Sequence, residues 1–305
     1  LLTILVFFPA RYSCDIRKTS GKRKLIAASL PVIISFCLLA ILCELQVFRR
    51  DDFWEVQYAR DLGMFKYMKL ALQTEGGRFF SYFLKGCSTF FRSTPASMLY
   101  LNTCLFISLG ALFMGLYRLL LVFFAASAAA DASVSEKKMA FLWAYCLFTA
   151  IVFISPKIWE DWFWDAAGLI FGIGVSLSVW ALTLMLENVI APPVRRKKRI
   201  ISLLILFLAC GCNQITAIAI DILITEVLLY VLISRQDRAI RRRLFYYFCA
   251  AAAGSAVCLL APGNFYRLEN GPFGYQGLPE TASFLAQSVV RLYRQIRVNL
   301  IMMKE

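Results

Sequence analysis

The chain contains no histidine. That absence removes the Ser-His-Asp triad, the Cys-His pair and every histidine-ligated metal site. Charge is scarce as well. Only 17% of the residues carry one, and acids are the rarer sign, at 19 against 33 Lys and Arg. An ordinary soluble domain is about one quarter charged, so a single soluble globule, a disordered chain and a coiled coil are excluded. What is abundant is apolar surface: 60% of the 305 residues, with a mean hydropathy of +0.67. A polytopic, all-α membrane protein is the class that remains. Ten cysteines are present, but Cys37, Cys43, Cys104, Cys146, Cys249 and Cys258 lie inside apolar runs, where Cys acts as a small packing residue. Cys87 alone sits well inside a long polar loop, so no disulfide framework is implied. Cys210-Gly211-Cys212 is too short and isolated for a metal motif.

Hydropathy predicts about seven spans, at residues 25–47, 97–117, 139–155, 169–186, 200–212, 215–234 and 244–261. Crossing the hydrocarbon takes ~20 residues at 1.5 Å each. The stretch 200–212 is therefore short; flanking residues complete it, or it ends at a recess. Residues 1–24 read as a basic cytoplasmic segment, 25–261 as the transmembrane domain with a long first outer loop at 49–96, and 262–305 as an outer segment with an amphipathic helix. The apolar run 1–10 ends at Pro9 and no initiator Met precedes it, as expected of a trimmed segment; the end after span seven is expected of a truncated chain.

The connections set the orientation. Loops 11–24, 131–138, 187–199 and 235–243 together carry 18 Lys and Arg against 5 acids. Loops 49–96, 156–168, 213–214 and 262–305 carry 14 against 11. The positive-inside rule places the first set, and the N-terminus, in the cytoplasm. The basic excess is thus a topology signal. It does not call for nucleic acid, and its partners are anionic lipid headgroups.

The unusual segments then gather on the outer face. Arg49-Arg50-Asp51-Asp52 follows span one. Two adjacent acids at a membrane edge need pairing or solvation. They form an ion-paired helix cap, or a carboxylate base for a hydroxyl acceptor, or oxygen ligands for a divalent cation such as Mg or Mn. Arg49 and Arg50 suit a phosphate. Phe53, Val56, Phe65, Met68 and Leu72 recur near helical spacing, as do Phe79, Phe80, Phe83 and Leu84, so the loop holds interfacial amphipathic helices. Gly76-Gly77 breaks them and presents Arg78. Trp159, Trp162 and Trp164 with Glu160, Asp161 and Asp165 make either an interfacial Trp belt or a sugar-stacking site with carboxylates for its hydroxyls. Asn213-Gln214 joins spans five and six, and Pro262-Gly263-Asn264 reads as a turn at a helix end, before Arg267. Glu44, Asp221 and Glu226 lie within spans, where an ionisable group is a functional candidate; Asp221 and Glu226 lie about 140° apart around a helix and share no face. Arg291, Arg294 and Arg297 fit an interfacial helix.

The acid pair after the first span, followed by amphipathic loop helices, resembles the GT-C superfamily of membrane glycosyltransferases. Gly77-Arg78-Phe79, the stretch from Trp164 to Gly168, and Pro262-Gly263-Asn264 with Arg267 resemble more narrowly a bacterial GT-C-like family; the likeness covers about residues 25–270. Asn213-Gln214 stands where that family's pattern has a Glu. The resemblance implies inverting transfer from a polyprenyl-phosphate-linked sugar to a glycan or lipid acceptor of the cell envelope, outside the bacterial cytoplasmic membrane. Asp51 or Asp52 would be the base or metal ligand. Arg78, with Arg49, Arg50 or Arg267, would hold the lipid phosphate. Trp159, Trp162 and Trp164 would flank the sugar, and Glu160, Asp161, Asn213 and Asn264 would join them in binding substrate. Two other classes stay open: a transporter or flippase working through Glu44, Asp221 and Glu226, and a non-catalytic membrane scaffold.

Overall fold

A computed structural model describes residues 33–34, 36–41, 50–91, 93–128, 134–153, 168–190, 196–234 and 237–270. These residues are helical nearly throughout, and no strand occurs among them. Residues 33–34 and 36–41 are helical and fall in the first expected span. Three short helices follow: α1 (Arg50–Leu62), α2 (Met64–Thr74) and α3 (Phe79–Cys87), then a 3₁₀ turn at Ser88–Phe90. The bundle proper comprises α4 (Thr94–Ala128), α5 (Val134–Phe153), α6 (Ile173–Ile190, entered through a π-turn at Gly168–Gly172), α7 (Arg196–Cys210), α8 (Gln214–Ile233) and α9 (Arg238–Leu259). A last helix, α10, runs Pro262–Asn270.

Among the described residues three stretches are long and apolar enough to cross a membrane: Thr94–Phe124, Gly168–Val189 and Gln214–Ile233. Helices α5, α7 and α9 lie where further spans are expected, but each opens on charge. Glu136, Lys137 and Lys138 begin α5, residues 196–199 begin α7, and Arg238, Arg241, Arg242 and Arg243 begin α9. Those turns shorten the apolar length. At 15 residues α7 reaches only about 22 Å. Its end at Cys210 is covered by residues 79–81.

Leu101, Leu105, Leu109, Leu112 and Leu116 form a stripe at helical spacing on α4 and are buried against Ala144, Phe148 and Val152 of α5. Phe36 stacks on Phe148, with ring centroids 5.4 Å apart, and meets Phe113 edge-on at 5.6 Å. Small residues and side-chain hydrogen bonds seal α4 to α6. Ser176 Oγ donates to the Ser108 carbonyl (2.7 Å), and Trp180 Nε1 to that of Ala111 (2.8 Å). A dry interface in hydrocarbon is held this way, because apolar packing alone gains little over lipid. Helix α8 buries one narrow stripe, Ala217, Ile220, Ile224 and Val231. It leaves Ile218, Ile222, Leu229 and Tyr230 outside. A largely apolar helix with most of its surface uncovered suits contact with lipid, with Asp221 and Glu226 as its charged exceptions.

The bundle has two polar ends. At one, Arg118 donates Nε (2.6 Å) and Nη2 (3.1 Å) to the Glu187 carboxylate, and Lys198 Nζ pairs with the same group at 2.6 Å. Beside them Asn188, Ser202 and Tyr247 share buried hydrogen bonds, and Arg243 Nη1 donates to the Asn188 carbonyl (3.1 Å). The other end holds the α1–α3 cap, which has its own core of Ala59, Tyr67, Ala71 and Tyr82. Arg60 fastens the cap to α4 by donating to Thr94 Oγ1 (3.0 Å) and Ser97 Oγ (3.2 Å).

Candidate functional site

The capped end is built on glycine. Helix α2 ends at Thr74, and the chain turns through Gly76 at φ 132°, a conformation open to glycine and costly for other residues. The expected break at Gly76-Gly77 is therefore there, although α1 and α2 are also separated, at Gly63 (φ 76°). Gly77 lies flat on the end of α9: a Cβ there would fall inside the Cys258 carbonyl. The next residues then cover the stub of α7. Phe80 N–H donates to the Gly211 carbonyl (3.0 Å), and Ser81 Oγ to that of Cys212 (3.0 Å). The Phe79 ring lies over Gly211 and 5.2 Å from the Phe207 ring.

Pro262-Gly263-Asn264 is corrected by the structure from a turn to the opening of α10. The turn lies just before it, at Leu260 and Ala261. Proline suits a first helical position because its missing N–H has no partner to lose there. Asn264 Nδ2 donates to the Cys258 (2.7 Å) and Leu259 (3.0 Å) carbonyls, closing the C-terminal end of α9. Its Oδ1 accepts from Gln214 Nε2 (2.8 Å). Gly76 packs against both amides, since a Cβ there would stand 2.9 Å from Asn264 Oδ1 and 3.0 Å from Gln214 Nε2. Asn213 caps α8: its Oδ1 accepts from Thr216 N–H (2.7 Å) and its Nδ2 donates to the Ile170 carbonyl (3.2 Å). Arg267 Nη1 donates to the Glu75 carbonyl (3.0 Å), at the end of α2.

The structure thus brings Arg78, Asn213, Asn264 and Arg267 to one end of the bundle, at the meeting of three segments distant in sequence. It also divides their work. The amides of Asn213 and Asn264 are engaged in closing helix ends. Arg78 is half-buried, and its Nε is buried without a hydrogen-bond partner. Asp51 and Asp52 lie in the first turn of α1, one turn before Glu55; their side chains, like that of Arg50, lie outside the described residues. Arg49, Glu44, Trp159, Glu160, Asp161, Trp162, Trp164, Asp165, Arg291, Arg294 and Arg297 lie outside them altogether. Among the described residues no three His, Cys, Asp or Glu side chains gather to hold a metal ion. Of the acids expected within spans, Asp221 is half-buried and Glu226 is exposed.

Two residues escaped the sequence reading. Lys85, with its side chain 5% exposed, is ion-paired to Glu55 and ties α3 to α1. Tyr82 is 2% exposed, and its hydroxyl has no hydrogen-bond partner. Burial pushes that hydroxyl's pKa up, against the pull of Arg78 and Arg267, while Glu75 and Glu55 add to the rise. The missed signal was the polar face of α3. Tyr82 and Lys85 stand three residues apart, opposite the apolar face that was read, and Arg78 caps the helix one turn before Tyr82.

Compared with models of protein families, with curated proteins and with solved structures, the chain matches none of them.

Proposed function

We propose that the chain is a seven-span glycosyltransferase of GT-C type in the bacterial cytoplasmic membrane, working on the outer face. The acceptor hydroxyl oxygen attacks the anomeric carbon of the sugar. The carbon–oxygen bond to the polyprenyl phosphate breaks, and the electron pair leaves with the phosphate oxygen. The hydroxyl proton passes to Asp51 or Asp52. A carboxylate is the natural base in a chain without histidine. Arg78 and Arg267 hold the departing phosphate, whose growing charge favours guanidinium donors. Asn213 and Asn264 keep the frame on which those arginines stand.

One observation carries the reading. Two of the segments that bear the resemblance, Gly77-Arg78-Phe79 and residues 262–267, are far apart in sequence yet are packed on one another through Gly76, Gly263 and Asn264. They meet at the end of the bundle away from the ion pairs of Arg118 and Lys198. That separation matches the charge asymmetry, which supports a cytoplasmic basic end and an outer capped end.

The test is transfer of a radiolabelled sugar from polyprenyl phosphate by the purified full chain, set beside Asp51→Asn and Asp52→Asn. At least one variant should lose most of its transfer while still accumulating as folded protein. If both transfer at the parent rate, the pair is only a helix cap. If Asp221→Asn or Glu226→Gln abolishes function while the Asp51 and Asp52 variants retain it, the transporter reading takes over. Orientation is tested separately with an impermeant maleimide in intact cells, on a cysteine-free background. Asp61→Cys, on the exposed face of α1, should react, and Lys197→Cys should not.

A further inference from the structure

Two buried polar atoms at the start of α3 have no hydrogen-bond partner: Nε of Arg78, the residue that precedes the helix as its cap, and the hydroxyl of Tyr82 within it. Among the described residues no other two such atoms lie so close in sequence, and Tyr82 N–H donates to the Arg78 carbonyl (2.9 Å), which sets the two residues one turn apart. Tyr82 is 2% exposed, so bulk water does not serve its hydroxyl. The charges acting on that hydroxyl come from four places: Arg78 at the cap of its own helix, Arg267 from α10, Glu55 from α1 and Glu75 from the end of α2. Glu55 is already paired with Lys85. Arg267 reaches the same corner through its bond to the Glu75 carbonyl.

Both orphan atoms are donors without an acceptor, and a second guanidinium, that of Arg267, acts on the same hydroxyl. A phosphoryl group answers that arrangement, because its several oxygens accept from both donors at once and its charge matches the arginines. We infer that the Tyr82 hydroxyl is a binding residue that donates a hydrogen bond to the phosphoryl group held by Arg78 and Arg267. The inference rests on the proposed function for the identity of the ligand, and on the two orphan donors for the residue. Burial keeps the phenol protonated across physiological pH, so it acts as a neutral donor throughout.

The same chemistry is found in a lipid phosphate and in free phosphate, and the test separates them. The purified full chain is titrated calorimetrically with farnesyl phosphate, with farnesol and with inorganic phosphate. Farnesyl phosphate should bind to the parent chain, and Tyr82→Phe should weaken it about tenfold, roughly one hydrogen bond to a charged group. Farnesol binding should not change in Tyr82→Phe, since farnesol offers no anion. Inorganic phosphate binding as tightly as farnesyl phosphate would overturn the lipid source. The thermal unfolding midpoint of unliganded Tyr82→Phe should equal or exceed that of the parent, because an unpartnered buried hydroxyl has been removed. A merely structural hydroxyl predicts the reverse: a lowered midpoint and unchanged affinity. Parent binding with full affinity in Tyr82→Phe overturns this inference and leaves the proposed function standing. Failure of the parent to bind farnesyl phosphate overturns both.

Discussion

The two ends of the bundle are polar for different reasons. At the basic end, long side chains meet one another: Arg118 and Lys198 share Glu187, and Asn188, Ser202 and Tyr247 share hydrogens. At the capped end, backbones meet. Gly77 lies against the Cys258 carbonyl, Gly263 against the backbone of Leu72 and Gly76, and Gly211 under the Phe79 ring. Long side chains re-aim at small cost, so the first end tolerates change. Backbone packed on backbone cannot relax without moving whole helices, so the second end does not. A site that must hold charged groups at fixed positions gains from the second kind of construction.

The sharpest way to break this contrast is Gly77→Ala. The added methyl would overlap the Cys258 carbonyl, and no rotamer change relieves a clash with backbone. The expected penalty is about 3 kcal/mol or more. Little folded protein should be recovered on size-exclusion chromatography in detergent. Gly110→Ala is the control, because nothing lies within 4 Å of a Cβ there. It sits inside α4 and should be neutral or gain up to about 1 kcal/mol. Normal recovery of Gly77→Ala would mean that the cap is loosely seated.

The next largest effect separates chemistry from framework. Asp→Asn keeps the shape of the side chain and removes the base. Asp51→Asn or Asp52→Asn should lower the transfer rate about 10²–10⁴-fold, roughly 3–5 kcal/mol of transition-state stabilisation. The unfolding midpoint should stay near that of the parent. A parallel fall in midpoint and rate would show a structural role at the start of α1.

How much of this was legible in the sequence depends on range. The bundle helices follow from hydropathy runs, and the amphipathic α1 and α2 from the spacing of Val56, Met68 and Leu72. The break at Gly76-Gly77 was legible because two adjacent glycines end a helix wherever they stand. What Gly77 touches was not, since Cys258 is 181 positions away. Pro262-Gly263-Asn264 misled because the same residue types open helices and make turns; only the carbonyls that Asn264 satisfies decide between them. The roles of Asn213 and Asn264 as caps depend on partners at Ile170, Gln214 and Cys258, which no local pattern reveals. The Glu55–Lys85 pair was hidden for the same reason: neither charge stands out among the others in the loop. Tyr82 was within reach, as one member of a polar stripe on α3.

A milder test moves to the basic end. Tyr247→Phe removes a hydroxyl shared with Ser202 and Asn188 in a buried setting. The partners left behind should cost about 1–3 kcal/mol. A fall of a few degrees in the unfolding midpoint is expected, with transfer activity retained because the site lies at the other end. Loss of transfer at unchanged stability would mean that the two ends communicate.

The smallest effect expected is that of Glu187→Gln. The carboxylate gathers two cations, which looks like a strong anchor. But the Arg118 side chain is 42% exposed and that of Lys198 39%, so solvent and salt screen much of the attraction. Glutamine keeps an oxygen to accept from Arg118, and both cations can turn to water. The expected loss is about 1 kcal/mol or less, shrinking further as salt is raised from 0.05 to about 0.5 M. The Arg118 guanidinium also lies 5.6 Å from the Trp180 ring centre, a contact that the substitution leaves intact. The measurement is the unfolding midpoint of parent and variant at both salt concentrations. If Glu187→Gln unfolds the bundle as Gly77→Ala does, or if its cost grows with salt, the basic end is as rigidly specified as the capped end, and the contrast between them fails.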